Sequence, residues 1–373
     1  MQKIPLTKPL LGDEETALVS EVLSSGWLTQ GAKVREFEQA VAASTGAKEG
    51  IATTSCTTSL FSSLKLLGIG PGDEVIVPSL SFIASANCIV HAGATPVFCE
   101  VEEDTYNIDP SHIEPLITSR TKAILPVHQL GIPCDIDAIY ALARSHRLAV
   151  VEDAACAIGS SYKGRKIGSG GIVCFSFHPR KLISTGEGGM IMTDDPAFAV
   201  RARQFRAHGM SADDLKRHAA GTVTIEEYPE VGYNFRMTDI QAALGIVQMQ
   251  RLPSILHRRT ELRRVFDAAL GSISWLRLPR IPSESEWNVQ SYIVRLLPGA
   301  PLDQRTLMQA LLDKGIASRR GLMASHLESC YRHAAAALPV TEELTTHTIL
   351  LPFYPQMTET ETDRVLDVVH SFA

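Results

Sequence analysis

Lys181 is the residue whose setting in this chain most plainly calls for chemistry. It lies on a turn five residues after Ser176, which closes a β-rich apolar run. Gly186, Gly188 and Gly189 follow, and there the backbone doubles back into the apolar run 190–192. An amine between two strands that read as buried needs a partner other than water. An aldehyde cofactor held as a Schiff base is one such partner, with the neighbouring Ser176 hydroxyl on its phosphate. A basic loop joining two strands has the same pattern, and this segment alone does not separate the two.

Other polar positions fall where a strand gives way to a helix. The run 53–58 (TTSCTT) places the hydroxyls of Thr57 and Thr58 and free backbone N–H groups at a helix start, which suits a phosphate and equally suits a capping cluster. Asp153 ends the apolar strand 149–153. A carboxylate there is costly unless paired with a cation, and a protonated pyridine nitrogen would serve; a surface acid just past the strand is the alternative. Phe82 follows another strand end, where an aromatic ring either stacks on a flat ligand or joins the core. Asn234 precedes a helix capped by Thr238 or Asp239, and an ordinary turn accounts for it equally well. Metalloprotease, nucleophile-elbow and Walker patterns are missing, and Lys181 precedes its glycines, the wrong order for a Walker loop.

These positions need a scaffold. From about 50 to 195, short apolar runs alternate with helical patterns, which predicts a mainly parallel sheet covered by helices. Strands are expected at 50–53, 74–78, 95–101, 123–127, 149–153, 173–177 and 190–193. Helices are expected near 57–67, 81–92, 113–117 and 136–147. Two long helices follow at 238–250 and 258–270, with Pro253 as a kink or break between them. Beyond Trp275 come a strand at 291–296 and helices at 302–314 and 360–372. The division expected is a large domain over 1–250 and a small C-terminal α/β domain over 251–373. In an open sheet of this kind, ligands bind outside the carboxyl ends of the strands.

Composition narrows the function classes. The 373 residues are 45% hydrophobic and 20% charged, with 41 acidic against 35 basic residues and a net charge of −6. No basic block marks a nucleic-acid footprint. The seven cysteines are scattered without a C-x-x-C pair, which argues against a disulfide framework or a zinc site. No apolar stretch approaches membrane-spanning length and no signal core opens the chain, so a cytoplasmic protein without metal, membrane or nucleic-acid partners is expected.

Taken in order, the segments GWLTQG (26–31), GIGPGDEVIVPS (68–79), ATPVF (94–98), TYNIDP (105–110), EDAA (152–155), the lysine segment 172–189, GYNFRMTDIQAA (232–243) and LPFYP (351–355) resemble the DegT/DnrJ/StrS family of sugar aminotransferases. The resemblance covers nearly the whole chain. It implies fold type I, the aspartate-aminotransferase-like fold with a seven-stranded large-domain sheet, and pyridoxal 5'-phosphate (PLP) as cofactor. Lys181 then matches the Schiff-base lysine, Asp153 the pyridinium partner and Phe82 the ring-stacking aromatic. Thr57, Thr58 and Ser176 match phosphate-binding positions. Asn234 matches the asparagine that reaches the phosphate of a neighbouring subunit's cofactor, so a homodimer with active sites at the subunit interface is implied. Thr29, His178, Arg319 and His326 fall in segments assigned to the substrate. Cys156 stands where the family often has a glutamine bonding the cofactor's ring hydroxyl, and a thiol is a poor donor. The form of the lysine segment, with His178 and TGEGG, resembles the branch acting on nucleotide-linked 4-keto-6-deoxy sugars with L-glutamate as donor. The 3-keto branch usually carries GDGG and a tyrosine at the His178 position. The alternatives are a sugar 3-dehydratase of the same fold, which has histidine in place of the lysine; a non-catalytic regulatory relative; and a desulfurase using Cys156.

Overall fold

The computed structural model describes residues 3–211, 225–334 and 336–373. Two helices, α1 (Asp13–Ser25) and α2 (Ala32–Thr45), lead into β1 (Glu49–Thr53) and α3 (Cys56–Leu66). Next come β2 (Glu74–Pro78), α4 (Ala84–His91), β3 (Thr95–Cys99), β4 (Thr121–Ile124), α5 (Ile136–His146) and β5 (Ala149–Asp153). A small hairpin, β6 (Ser161–Tyr162) and β7 (Arg165–Lys166), precedes β8 (Ile172–Ser176), β9 (Gly189–Thr193) and α6 (Pro196–Phe205). All seven expected strands are present, within a few residues of their expected ends. They form one sheet in the order β1-β9-β8-β5-β4-β2-β3. The pairs β8·β5, β5·β4, β4·β2 and β2·β3 are parallel, and β9 runs antiparallel to both its neighbours.

Both faces of this sheet are covered, so its strands are apolar throughout rather than alternating with polar residues. Ile76, Phe175, Met190 and Met192 face one core with Phe37 of α2. Val75, Val77, Cys174 and Ile191 face the other, against Leu60 and Leu64 of α3. Helices α1 and α2 have glycine N-caps, Gly12 and Gly31. The start of α2 is capped from afar: the Asp239 carboxylate accepts from the N–H groups of Gly31 and Val34 at 2.8 and 3.0 Å.

Thr238 caps the next helix, α7 (Asp239–Leu270), in a capping box with Gln241. Both expected cap residues are therefore caps, of two different helices. Helix α7 runs unbroken through Pro253, where two helices separated by a kink or break are expected. Burial of Leu252 and Ile255 on either side of the proline holds the helix together despite the lost backbone bond. The expected domain boundary near 250 falls within this helix. The expected helix at 113–117 is instead two 3-10 turns, Pro110–His112 and Glu114–Leu116: Pro110 suits a helix start, but Pro115 has no N–H to bond the Ser111 carbonyl, so an α-helix begun there cannot continue.

The remaining chain forms β10 (Leu276–Arg277), β11 (Ser285–Glu286), β12 (Tyr292–Leu296), α8 (Gln304–Asp313), β13 (Arg319–Arg320), α9 (Pro339–His347), β14 (Thr348–Leu351) and α10 (Glu359–His370). Strands β10-β12-β14-β13 make an antiparallel sheet with its own core of Phe266, Tyr292, Ile293, Leu307, Ile349 and Val365. The N-terminal segment joins this part: Ile4 bridges Ile316. Strand β11 instead pairs with β6.

Candidate active site

The carboxyl ends of β1, β5 and β8 open into a cleft of about 390 Å³, closed on the other side by β13, β14 and the segment 321–323. Its floor comes from three turns of the large sheet. After β1, Ser55 caps α3: its hydroxyl accepts from Thr58 N, and Thr58 Oγ1 accepts from Ser55 N at 3.1 Å. That box leaves the N–H groups of the first turn of α3 toward the cleft, where Ser55, Cys56 and Thr57 form the wall. Thr58 does not line the cleft, because its hydroxyl is committed to the cap.

The last residue of β5 is Asp153, only 5% exposed. Its Oδ2 accepts from Ser85 Oγ at 2.7 Å and its Oδ1 from Ala155 N at 3.1 Å. Burial and the nearby Asp153 charge push the Cys56 thiol well up, so it stays protonated, with its sulfur 3.9 Å from Oδ1. Every one of these partners is neutral, and among the described residues no ion pair involves Asp153. A buried carboxylate in that state is suited to a cation supplied by a ligand.

After β8 the chain leaves a β8–β9 hairpin and folds back over it. Phe177 O accepts from Thr185 N at 2.9 Å, and Lys181 N bonds His178 O at 2.8 Å. Gly186, at φ +83°, makes the reversal possible. Gly189 is required for a different reason: a Cβ there would overlap the Ser55 carbonyl carbon and the Cys56 nitrogen, so the start of α3 could not sit against β9. This excursion carries Lys181 into the cleft, with Nζ 3.1 Å from Cys156 Sγ. Burial pulls the ammonium down, but the hydrogen bond to Cys156 and the Asp153 charge outweigh it and hold Lys181 above its ordinary value. Cys156 is held from behind by Asn288, which donates to the Cys156 and Ile158 carbonyls at 2.8 Å each.

Of the expected site residues, Thr57, Phe82, Asp153, Cys156, Ser176, His178, Lys181 and Arg319 all line this cleft. Phe82 is 56% exposed, a large apolar ring left open on the cleft wall. Burial, with the Arg180 and Lys181 charges, lowers the His178 pKa and favours its neutral imidazole. Thr29 and Asn234 lie exposed outside the cleft of their own chain. His326 does not line this cleft. It is 6% exposed, its Nδ1 is 2.6 Å from Ser79 Oγ, and it packs near Phe98. Its polarity serves a buried contact between the large sheet and the segment after β13.

Sequence reasoning missed Ser85, Asn288, Gln290 and Arg180. Ser85 lies on an apolar helix four residues after Ser81, whose hydroxyl is 3.0 Å from its own, and that spacing was the available signal. Asn288 and Gln290 reach the site from more than 100 residues away and leave no local trace.

The donor set fits PLP. An amine, a buried carboxylate with no salt bridge among the described residues, an exposed aromatic ring and a helix N-terminus flanked by the Thr57 and Ser176 hydroxyls are the groups that a flat, phosphorylated pyridine aldehyde would engage.

Similar proteins of known structure agree with that reading. The aminotransferase TlmJ from Streptoalloteichus hindustanus is 34% identical, the match covering 99% of this chain and 98% of that one, with a TM-score of 0.91. S. venezuelae DesV, solved in complex with a ketimine intermediate, is 32% identical over 100% of this chain and 98% of that one (TM-score 0.90). Spr1654 of Streptococcus pneumoniae in its PMP form is 30% identical over 99% and 98% (TM-score 0.92). The description of the DegT/DnrJ/EryC1/StrS aminotransferase family matches residues 9–370, and the chain belongs to that family as a PLP-dependent aminotransferase.

Proposed function

We propose that this enzyme moves an amino group from L-glutamate to the 4-keto carbon of a nucleotide-linked 6-deoxy sugar, releasing 2-oxoglutarate and a 4-amino sugar. Such a sugar would serve polysaccharide, lipopolysaccharide or antibiotic synthesis. The observation that carries this reading is the meeting of Lys181 Nζ, Asp153 and Phe82 in one cleft.

Bound PLP supplies an electron sink for the carbon bonded to the migrating nitrogen and carries the amino group between donor and acceptor. The rest falls to the chain. Lys181 Nζ would hold the aldehyde and, once freed by the donor amine, would serve as the base that moves the proton of the donor's α-carbon. Asp153 keeps the ring nitrogen protonated, and the hydrogen bond from Ser85 fixes the carboxylate for that task. Phe82, left open on the cleft wall, would stack on one face of the ring. The first turn of α3, with Thr57 and Ser176, binds the phosphate. Neutral His178 and cationic Arg319 face the sugar end, and the retention of Lys181 speaks against a dehydratase.

Asn234, exposed and outside its own cleft, would reach the phosphate in a second subunit. The exposed apolar side chains of Ile225, Tyr228, Val231 and Tyr233 beside it support a homodimer closed over that surface. All seven cysteines are free, which agrees with the reducing cytoplasm. No helix among the described residues is long and apolar enough to cross a membrane.

The test is to incubate the holoenzyme with 15N-labelled L-glutamate and UDP-, dTDP- and GDP-linked 4-keto-6-deoxy sugars. The expected product carries the label on C4 of one of them by NMR. Label on C3, or amination only with another donor, would overturn the corresponding part of the proposal.

A further inference from the structure

The charges of the cleft do not balance at its mouth. Four cations line it, Arg180, Lys181, Arg319 and Arg320, against the two carboxylates of Asp153 and Glu187. Lys181 and Asp153 lie together on the floor and are used by the chemistry proposed above. Arg320 is neutralised by Glu328 at 2.9 Å. Glu187 faces His178, at 4.0 Å. Arg180 and Arg319 remain, and among the described residues neither guanidinium forms an ion pair or a side-chain hydrogen bond.

Both are positioned rather than loose. The Arg180 backbone is pinned on two sides: its N–H donates to His178 Nδ1 at 3.1 Å, and its carbonyl accepts from Gln290 Nε2 at 2.7 Å. Gln290 itself lies just before β12, so this bond ties the lysine turn to the smaller sheet. Arg319 stands on β13, whose pairing with Leu350 of β14 fixes it on the opposite wall. It is half-buried, and burial together with the neighbouring Arg180 and Arg320 charges lowers its pKa. Like charges gathered at a half-buried site are unfavourable in the free enzyme and are relieved by an anion.

We propose that Arg180 and Arg319 form a two-guanidinium seat for the diphosphate linking nucleotide and sugar, so that the sugar ring is held between this seat and Lys181. A diphosphate carries at least two negative charges on oxygens that match the planar guanidinium fork, whereas the neutral floor groups bind only the cofactor's phosphate. This seat rests on the nucleotide-linked substrate proposed above. It makes the large sheet and the small sheet each contribute one cation to substrate recognition.

The test uses holoenzyme, with UDP, dTDP and GDP titrated by calorimetry into wild type, Arg180→Gln, Arg319→Gln and Arg320→Gln. The visible band of the bound cofactor confirms that each variant is folded and loaded. At least one diphosphate is expected to bind wild type. Its affinity falls about tenfold or more in Arg180→Gln and in Arg319→Gln, and less than about threefold in Arg320→Gln. The half-saturating L-glutamate concentration for the change in the visible band stays within about twofold in all three. Unchanged diphosphate affinity in the first two variants would overturn the seat and leave the nucleotide-sugar reading standing. A rise in half-saturating L-glutamate without loss of diphosphate affinity would make the pair a carboxylate seat and overturn the proposal. If no diphosphate binds wild type, the nucleotide-linked reading fails and the seat with it.

Discussion

The floor and the mouth of the cleft are built in different ways. The floor is made of three turns at the ends of strands of one sheet, each shaped mainly by residues close in sequence. These are the Ser55–Thr58 capping box, the Asp153–Ala155 bond and the fold-back of 177–189, with the Ser85 bond to Asp153 reaching in from further along the chain. The mouth is assembled across sheets, by Gln290 on the Arg180 carbonyl, Asn288 behind Cys156 and Arg319 on an edge strand. The floor has the groups PLP chemistry requires, while the mouth has the groups that would distinguish one substrate from another. Local construction keeps the reactive geometry independent of the substrate, and long-range construction leaves the mouth free to differ.

The sharpest way to test that division is to remove floor groups and watch what the mouth retains. Lys181→Ala should lower turnover by roughly three orders of magnitude or more, while nucleoside diphosphate affinity by calorimetry stays near wild type. Substantial residual turnover would take the lysine out of the floor chemistry. Gly189→Ala should be nearly as damaging by another route. The added Cβ meets backbone rather than a movable side chain, so separating β9 from α3 should cost about 3 kcal/mol and weaken cofactor retention. Thermal unfolding and the visible band after dialysis measure both.

A pH effect follows from the Lys181 shift. Burial lowers its pKa, but Cys156 and Asp153 raise it more, so the amine stays protonated to higher pH than an ordinary lysine. Only the neutral amine attacks an aldehyde. The rate at which cofactor-free protein takes up PLP should therefore rise with pH, by about tenfold per unit while the ammonium form dominates. For an ordinary lysine that rise levels off near pH 10.5; here it should continue past that point, and a plateau at or below it would contradict the shift. The smallest effect is expected at the border of the two regions. Cys156→Ser should change turnover by less than about threefold, because the thiol donates weakly and Asn288 holds the loop through backbone carbonyls. Loss of activity in that variant would revive sulfur chemistry at this position.

The same division explains what could be read from sequence. The strands of the large sheet are continuous apolar runs ended by turn residues, so periodicity and punctuation locate them, and Asp153, Ser176 and Lys181 stand at their ends. Helices α1 and α2 went unseen because their caps are glycines, and the α2 start is stabilised by Asp239, about 200 residues away. Pro253 reads as a breaker, yet packing on both sides keeps α7 whole. The contact of His326 with Ser79 joins positions far apart in the chain and has no local trace in the sequence. Arg180 stood beside the lysine in plain view, but its importance depends on Arg319, and that pairing exists only once the two sheets face each other.

The most direct test of the central claim is the visible absorbance of purified protein reconstituted with PLP, before and after L-glutamate. A yellow band from cofactor held on Lys181, lost as the amine form accumulates on adding L-glutamate, is the predicted result. A protein that stays colourless with PLP would contradict the assignment of the cleft floor, and a yellow protein indifferent to L-glutamate would contradict the donor.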